Sequence, residues 1–237
     1  MSEQKTKLAI ITPAFNPSMG EIDLYCECTK QIRSTISPLY DLSFIVVDDG
    51  STNEIVLPKA FVENITVIRH EANSGKGEAI KTGIKNIQIT DIVVYTDFDF
   101  PYILENLYDM VSLVEHKEAE IVVAKRSKLY FSKLPTQRKI ISKLLLFVNR
   151  YLMGIQNYDT QGGLKVVHVK EVGYLLSTKS TGFLFEIEFI YAAQKAGVKI
   201  LDYEVALRED VLIPSISWKS IIKNIRALFV ILLNRKD

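Results

Sequence analysis

Residues 93–99 read Val-Val-Tyr-Thr-Asp-Phe-Asp, an apolar run that ends in the two carboxylates Asp97 and Asp99. The run predicts a buried strand over residues 92–95, with both aspartates at its carboxyl end. Because successive side chains of an extended chain point to opposite faces, Asp97 and Asp99 are expected to share one face. Two carboxylates at a strand end suit a divalent cation that also holds a diphosphate.

A second predicted strand also ends in carboxylates. Residues 44–51 read Phe-Ile-Val-Val-Asp-Asp-Gly-Ser, so Asp48 and Asp49 follow the apolar stretch directly. Around both segments, short apolar runs alternate with helical patterns, which predicts an α/β fold with a parallel-rich central sheet flanked by helices. Ligands of such folds bind at the carboxyl ends of the strands, so the two acidic strand ends are expected to line one site.

The predicted elements follow from apolar periodicity and from turn residues. The pattern indicates strands at 8–12, 44–47, 64–68, 92–95, 120–124, 164–169 and 199–205. It indicates helices at 21–37, 77–87, 103–115, 138–153, 185–195 and 218–236. A single domain over residues 1–237 is expected, because the sequence contains no Pro-, Gly- and Ser-rich linker.

Composition places the chain among globular proteins, with 48% apolar and 24% charged residues. The formal net charge of +1 gives no basic field for nucleic acid, so no nucleic-acid partner is expected. Cys26 and Cys28 are too few for a disulfide framework and are expected as buried thiols. Residues 1–7 lack an apolar signal stretch, and no apolar run approaches the roughly 20 residues of a spanning helix, so the expected location is cytoplasmic.

A glycine-rich turn, Asn-Ser-Gly-Lys-Gly at residues 73–77, stands directly before a predicted helix. Glycines let the backbone approach a ligand, and a helix N-terminus offers unpaired N–H groups to an anion. The spacing is not that of a Walker loop, and the dinucleotide fingerprint would follow the first strand instead. Taken alone, the turn is equally compatible with a helix N-terminus that carries a solvated Lys76.

The order of these segments resembles that of the family 2 glycosyltransferases, which have the GT-A fold. The resemblance covers roughly residues 7–210. Two further segments point to one group within the family: Asp-Thr-Gln-Gly-Gly-Leu-Lys at 159–165 and Phe-Glu-Ile-Glu at 185–188. These two segments look like those of the polyprenyl-phosphate glycosyltransferases that act on dolichyl phosphate. The first half, 1–125, would then bind the nucleotide-sugar, and 126–237 would bind the acceptor.

For the donor, the resemblance implies metal-dependent, inverting transfer of a hexose from a UDP- or GDP-sugar. Asp97 would face the ribose and the sugar, while Asp99, with Asp97 beside it, would ligate Mg²⁺ or Mn²⁺ across the diphosphate. Lys76 would contact the substrate, and Arg126 would lie near the phosphates as a catalytic cation. The base and ribose would be held by residues at the first two strand ends, namely Pro13, Phe15, Asn16, Asp48 and Asp49.

For the acceptor, the resemblance places Gln161 and Lys165 under the transferred sugar. A hydroxyl acceptor would need a general base, for which one glutamate of 185–188 or Asp159 is a candidate, whereas a phosphate acceptor is already an anion and needs little base assistance. If 185–195 is helical, Glu186 and Glu188 lie on different faces, so only one of them can point into the site.

The segment that begins at Arg208 departs from the family pattern. Relatives commonly read Arg-x-x-x-Gly-Ser-Lys there and use it on the acceptor phosphate, but this sequence has no glycine after Arg208. Pro101 also stands two residues after Asp99, where the family often has a polar Gln. Arg208 is still expected to bind substrate, and both departures leave a different acceptor open.

Two predicted helices bear on the acceptor. In 138–153 the polar positions fall within an arc of about 140°, and in 218–236 basic residues stand opposite apolar ones. Such helices can lie in a membrane interface, pack on the core, or mediate a homo-oligomer. The polar positions of the first are Arg138, Lys139, Ser142, Lys143, Asn149 and Arg150. The resemblance favours a polyprenyl-phosphate acceptor met at the cytoplasmic face of the membrane.

Three other functions stay open on the sequence alone. A family 2 enzyme could act on a sugar or other hydroxyl acceptor in the synthesis of a glycan or cell-surface polysaccharide. A nucleotide-sugar-binding scaffold would keep the donor site without turnover. A nucleotidyltransferase has a related sheet, but its glycine-rich loop directly after the first strand is absent from this sequence.

Overall fold

The computed structural model describes residues 5–62, 65–127, 130–131, 134–155, 159–182 and 184–211. Within these ranges seven strands form one sheet in the order β3-β2-β1-β4-β6-β5-β7. Neighbouring strands are parallel except β6, which is antiparallel to both β4 and β5. The strands are β1 (Thr6–Ala14), β2 (Tyr40–Asp48), β3 (Ile65–Arg69), β4 (Ile92–Tyr95), β5 (Ile121–Arg126), β6 (Lys165–His168) and β7 (Ile200–Val205). The predicted parallel-rich sheet is confirmed.

Helices cover both faces of this sheet, as predicted. The helices are α1 (Met19–Ile36), α2 (Lys59–Val62), α3 (Lys76–Lys85), α4 (Leu104–Glu115), α5 (Thr136–Phe147), α6 (Val172–Leu176) and α7 (Phe185–Lys195). A π-helical turn, Val148–Leu152, follows α5, and a 3₁₀ turn, Val169–Glu171, precedes α6. Helices α1 and α4 bury one apolar cluster with Ile10 of β1, while α3 and α7 bury the other with Ile11.

The central strands are buried on both faces, which explains their continuous apolar sequence. Leu8, Ala9, Ile10 and Ile11 are all at most 1% exposed. Strands with this pattern are typical of parallel sheets that carry helices on both sides. The first helix starts where the sequence supplies a capping box: Ser18 accepts a hydrogen bond from Glu21 N, and the Glu21 carboxylate accepts one from Ser18 N.

Strand β1 lies between β2 and β4, so the chain leaves it on one side and later returns on the other. This reversal of strand order opens a crevice at the carboxyl ends of β1 and β4, where α/β folds bind ligands. The sequence predicted that β1 would stop before Pro13, but the strand continues to Ala14. Because β4 ends opposite Ile11, Pro13 lies beside β2 alone, where a missing N–H is tolerated.

The predicted helix over 138–153 is broken in the structure. Helix α5 ends at Phe147, and the wider π-helical turn over Val148–Leu152 rotates the residues that follow. Two residues of the predicted polar arc are buried in the protein: Ser142 and Asn149 are 8% and 3% exposed. Asn149 instead donates its side-chain amide to Thr160 Oγ1 at 2.8 Å.

Two remaining expectations concern membranes and thiols. The predicted helix over 218–236 lies outside the described residues. Across the ranges that the structure describes, no helix has both the length and the hydrophobicity needed to span a bilayer. Both cysteines are free and buried, as predicted.

Candidate active site

Asp97 and Asp99 form an acidic turn directly after β4, at the crevice beside β1. Phe98 between them stacks on Tyr25 of α1, with ring centroids 4.5 Å apart, and so fixes the turn to the core. The Asp97 side chain is 39% exposed. Burial, and then the negative charge of Asp97, raise the pKa of Asp99 to about 6. The negative charge of Asp97 therefore acts on the Asp99 carboxylate.

The Asp97 carboxylate packs against a glycine of the turn before β6. A Cβ atom added to Gly163 would lie 2.0 Å from Asp97 Oδ2, and one added to Gly162 would lie 2.0 Å from the Ala124 carbonyl oxygen. Both distances are too short for any side chain. The glycines of the Asp-Thr-Gln-Gly-Gly segment thus bring the backbone of this turn against β5 and the aspartate.

Lys76, the first residue of α3, contacts Asp97 from the other side. Its ammonium lies 2.8 Å from Asp97 Oδ1 and 3.7 Å from Glu186 Oε1. Burial alone would lower the pKa of this ammonium, but the Asp97 and Glu186 carboxylates raise it well above the usual value. Lys76 is therefore a fixed cation beside the acidic turn and not a solvated lysine at a helix N-terminus.

Asp49 is linked to Lys76 through the backbone of the glycine-rich turn at residues 73–77. Its carboxylate accepts hydrogen bonds from Ser74 N and Gly75 N, both at 2.8 Å, and lies 2.8 Å from His70 Nδ1. Gly75 has a φ of 99°, which favours glycine. Asp49 therefore fixes the turn that presents Lys76, and its own oxygens contact protein groups.

Asp48 is fully buried and holds the loop that follows β2. Its Oδ1 accepts a hydrogen bond from Ser51 N at 2.8 Å, and Oδ2 lies 3.2 Å from an Arg69 nitrogen. Ser51 in turn accepts a hydrogen bond from Asn16 N through its hydroxyl. The strand ends of β1 and β2 are thus joined, and Phe15 between them exposes 52% of its surface. Pro13 stands at the base of this loop, within β1.

Arg126, the last residue of β5, and Asp159, in the turn before β6, form a buried pair. The guanidinium contacts both carboxylate oxygens, at 2.6 and 2.8 Å, and its side chain is 8% exposed. The Tyr130 and Phe131 rings lie 5.2 Å from the guanidinium carbon. Gln161 N donates to Asp159 Oδ1 at 3.2 Å, while the buried Nε2 of Gln161 makes no hydrogen bond. An unsatisfied buried amide is a group that a substrate oxygen could satisfy.

Lys165 of β6 is completely buried, which the sequence did not predict for a residue under the sugar. Its ammonium lies 2.7 Å from Glu186 Oε1 and donates to the carbonyl oxygens of Thr160 and Gly162. Burial lowers the pKa of this lysine, although the Glu186 carboxylate opposes the shift. Lys165 therefore binds protein groups with all three N–H bonds.

Glu186 and Glu188 face different surroundings, as the helical spacing predicted. Glu186 is 2% exposed and faces Lys165 and Lys76. Glu188 accepts hydrogen bonds from Lys179 N, Ser180 N and the Ser180 hydroxyl. The loop that Glu188 holds supplies the Thr181 carbonyl, which accepts hydrogen bonds from N–H groups in the first turn of α3. Glu186 is therefore linked to the acidic turn through Lys76, whereas Glu188 binds the loop at residues 179–180.

Arg208 holds the backbone of the acidic turn. One guanidinium nitrogen donates to the carbonyl oxygens of Asp99 and Phe100, at 2.9 and 2.8 Å. The neighbouring nitrogens pair with Asp210, and Arg208 N donates to the Pro101 carbonyl at 3.0 Å. The sequence did not predict this contact of Arg208 with the backbone.

The sequence analysis also did not identify His70, which lies beside Asp49. His70 follows β3 directly at the same edge of the sheet, and this position could have identified it.

The acidic turn fits a cation that is shared with a substrate. Among the described residues, no group of three or more His, Cys, Asp and Glu side chains could hold a metal ion by itself. Asp97 and Asp99 alone supply two oxygen-bearing side chains, and Mg²⁺ commonly binds through one or two carboxylates with substrate phosphates and water completing the shell. The donor set is therefore suited to a metal that arrives with a diphosphate.

Solved structures share this fold. Glucosyl-3-phosphoglycerate synthase from Mycobacterium tuberculosis in complex with UDP has a TM-score of 0.66 and 22% identity, over 98% of this chain and 80% of that one. A complex of the same enzyme with Mn²⁺, UDP-glucose and phosphoglyceric acid has a TM-score of 0.64 and 20% identity, over 98% and 79%. The GT-A fold expected from the sequence is confirmed by these neighbours.

Curated relatives match most of the chain. The dolichyl-phosphate beta-glucosyltransferase of Dictyostelium discoideum is 27% identical over 84% of this chain, which spans 65% of that protein's length. The UDP-N-acetylglucosamine–dolichyl-phosphate N-acetylglucosaminyltransferase of Methanococcus voltae is 26% identical over 66% of this chain and 67% of its own. The model of the family described as "Glycosyl transferase family 2" matches residues 9–171, which include the acidic turn, Lys76 and the Asp159–Arg126 pair. The chain therefore belongs to glycosyl transferase family 2.

Proposed function

We propose that this nucleotide-sugar glycosyltransferase moves a hexose from a UDP- or GDP-sugar to the phosphate of a polyprenyl lipid, with inversion at the anomeric carbon. The observation that carries the proposal is the cluster of Asp97, Asp99 and Lys76 at the carboxyl end of β4. Two carboxylates beside a fixed ammonium suit a diphosphate that shares a divalent cation with the protein. The UDP-bound Mycobacterium tuberculosis enzyme with the same fold supports this donor class.

The donor site is built from the strand ends on both sides of the crevice. Asp97 and Asp99 would hold Mg²⁺ or Mn²⁺, and such a cation, when bound, neutralises charge on the leaving nucleoside diphosphate. Lys76 adds a positive charge at the same place. The exposed ring of Phe15 is available to stack on the nucleotide base, and the loops fixed by Asp48 and Asp49 frame the ribose.

The proposed reaction is a single displacement. An oxygen of the acceptor phosphate attacks the anomeric carbon from the face opposite the diphosphate, and the new C–O bond forms as the bond to the diphosphate oxygen breaks. The electron pair of that bond leaves with the nucleoside diphosphate, and the configuration at carbon inverts. Preorganised cations near the departing oxygens, such as Lys76 and Arg126, would stabilise the developing charge.

The pairing of the acidic side chains supports a phosphate acceptor over a hydroxyl. Asp159 contacts Arg126 with both oxygens, and Glu186 lies between two lysines. A hydroxyl acceptor needs a carboxylate that is free to take its proton, whereas an anionic phosphate already presents an unprotonated oxygen and needs little base assistance. The names of the dolichyl-phosphate relatives agree with an anionic lipid acceptor.

An exposed apolar surface at the end of α5 supports peripheral binding to the cytoplasmic face of a membrane. Leu146, Phe147 and Tyr151 are 38%, 53% and 65% exposed. The Phe147 and Tyr151 rings lie 4.9 Å apart, and the guanidinium of exposed Arg150 lies over the Tyr151 ring. Aromatic and aliphatic side chains beside basic ones are the composition that binds anionic membrane surfaces.

A second candidate is a family 2 enzyme with a hydroxyl acceptor. The Mycobacterium tuberculosis neighbour was solved with phosphoglyceric acid, which is a small acid and not a lipid. The missing glycine after Arg208 also departs from the segment that lipid-phosphate relatives carry. These two observations keep a soluble acceptor as the alternative.

The test is transfer of labelled hexose from UDP- and GDP-sugars to undecaprenyl phosphate or dolichyl phosphate in the presence of Mn²⁺. We expect label in the lipid fraction, and a loss of about a thousandfold in Asp99→Ala, because the cation loses a ligand. Glu118→Gln, an exposed carboxylate change, is the matched control. Full activity of Asp99→Ala would exclude the metal role, and transfer that persists without lipid phosphate would assign a hydroxyl acceptor.

A further inference from the structure

Four charged groups lie in a row between the solvent and the centre of the sheet. Asp97 Oδ1 is 2.8 Å from the Lys76 ammonium, which is 3.7 Å from Glu186 Oε1, which is 2.7 Å from the Lys165 ammonium. Their signs alternate. Their exposure falls along the row, from 39% for Asp97 through 13% and 3% to 0% for Lys165. The row thus connects the candidate donor site to a fully buried cation.

Lys165 has no surface with which to contact a substrate. Its side chain is 0% exposed, and the ammonium is 5.6 Å from the centre of the Tyr95 ring. Its three acceptors are Glu186, the Thr160 carbonyl and the Gly162 carbonyl. Those two carbonyls belong to the turn that carries Gln161 and places Gly163 against Asp97. Lys165 therefore fixes both the turn and the Glu186 carboxylate.

Glu186 lies where its charge acts on Lys76. The same carboxylate oxygen of Glu186, Oε1, forms ion pairs with both lysine ammonium groups, at 3.7 Å with Lys76 and at 2.7 Å with Lys165. Lys165 neutralises most of this buried charge at the shorter distance, so the attraction on Lys76 at the longer distance is weak enough to leave Lys76 on Asp97. A change in either member of the Glu186–Lys165 pair would alter that balance, because charges at low dielectric interact strongly.

We propose that Glu186 and Lys165 are positioning residues, and that the group they position is the Lys76 ammonium, which meets the diphosphate of the donor. The inference rests on the proposed donor class and assigns no proton transfer to Glu186. Loss of Lys165 would leave Glu186 with uncompensated charge and draw Lys76 inward from Asp97. Loss of the Glu186 charge would leave two lysines facing each other and push Lys76 outward.

The test is a double-mutant cycle between Lys76→Met and Glu186→Gln, read by the KM for the nucleotide-sugar, by kcat, and by the Kd for the free nucleoside diphosphate. In the natural background, Glu186→Gln should raise the donor KM and the Kd by about tenfold, with the acceptor KM unchanged. In the Lys76→Met background the same change should alter the donor KM by less than about twofold. Such loss of effect is expected when one residue acts through another.

Two further variants separate positioning from simple loss of structure. Lys165→Met alone should raise the donor KM, and its combination with Glu186→Gln, which removes both buried charges, should be less impaired than the product of the single effects. Glu186→Asp keeps the charge but shortens its reach, and it replaces the amide variant if that one does not fold. Lys85→Met, an exposed change at the other end of α3, is the matched control.

Three results would overturn the inference. A fall in kcat of about a hundredfold or more in Glu186→Gln, in both backgrounds and with loss of the acidic limb of the pH profile, would make Glu186 a general base. Additive effects on the donor KM would mean that Glu186 does not act through Lys76. If the natural protein binds neither UDP nor GDP with Mn²⁺, the proposed function fails first; normal nucleotide binding with an additive cycle contradicts only the positioning role.

Discussion

At the residue scale, Asp99 carries a charge that the fold disfavours. Its pKa is raised to about 6 by burial and then by Asp97, whereas an unfolded chain leaves it near its usual value of 3.8. Between these two pH values the folded state holds a proton that the unfolded state has released. Stability therefore falls as pH rises through about 6, and the penalty remains at higher pH. A cation bound beside Asp99 would offset this penalty, because it would compensate the buried negative charge.

The amide variant Asp99→Asn should consequently stabilise the metal-free protein at pH 7.5. We expect a gain of about 1–3 kcal/mol in the free energy of unfolding, because each unit of pKa shift corresponds to about 1.4 kcal/mol. The gain should shrink as pH approaches 4, where the natural carboxyl is protonated in the folded state. Denaturant unfolding in a chelator at both pH values measures it, and a destabilised variant at pH 7.5 would contradict the raised pKa.

Gly163 offers a second test at this scale. Alanine there would place a Cβ 2.0 Å from Asp97 Oδ2 and must displace the carboxylate from Lys76 and the candidate cation. A misplacement of this size can cost about a hundredfold in activity, so we expect that loss in transfer rate with the protein still folded. Gly173→Ala, which meets no atom within 4 Å, is the control. Equal activity of the two variants would show that the position of Asp97 does not matter.

The element scale shows what the sequence could and could not predict. The bounds of α1, α3, α4, α7 and β4 agree with the predicted ones within about two residues, because apolar periodicity and capping residues mark them locally. The break at Phe147 was not predictable in this way. A π-helical turn depends on tertiary contacts, such as the buried Asn149–Thr160 hydrogen bond, and not on local periodicity.

The same limit applies to the site. The acidic segments and the order of the motifs located the carboxyl edge of the sheet. The partners of each carboxylate were not visible, because they join residues far apart in the chain: Asp49 with the turn at Ser74, and Asp159 with Arg126. Lys165 illustrates the point most clearly, since nothing in its local sequence indicates complete burial.

Helix α5 carries the prediction about membranes. Phe147→Glu should lower binding to vesicles that contain anionic lipid by about tenfold, because it replaces an exposed ring with a charge that the lipid repels. Ile89→Glu, which changes a residue that is 73% exposed elsewhere on the molecule, is the matched control. Co-sedimentation measures the bound fraction. Equal loss in both variants would indicate that the α5 surface is not the part that contacts lipid.

At the scale of the whole molecule, the two apolar clusters meet the crevice from opposite faces of the sheet. Tyr25, stacked on Phe98, belongs to the cluster under α1 and α4, while Phe185, beside Gly77, belongs to the cluster under α3 and α7. The proposed donor site is thus supported by both halves of the core. Ligand binding at this site should therefore raise the Tm of the global unfolding transition.

The corresponding prediction is a metal-dependent thermal shift. A matching nucleotide-sugar at about 100 times its Kd adds about 2.7 kcal/mol to stability, which raises Tm by about 5 °C or more for a chain of this size. We expect the shift with Mn²⁺ and not with chelator, for one donor of a panel of UDP- and GDP-sugars. A shift of equal size without metal would argue against a shared cation at Asp97 and Asp99.

The contact of Arg208 with the carbonyl oxygens of Asp99 and Phe100 has a practical consequence for anyone who trims this protein. The family match stops at residue 171, and a fragment cut at that boundary would look complete by homology. It would lack α7 with Glu186, the edge strand β7, and the arginine that braces the acidic turn. Shortened versions for crystallisation or screening should therefore retain the chain through at least Asp210.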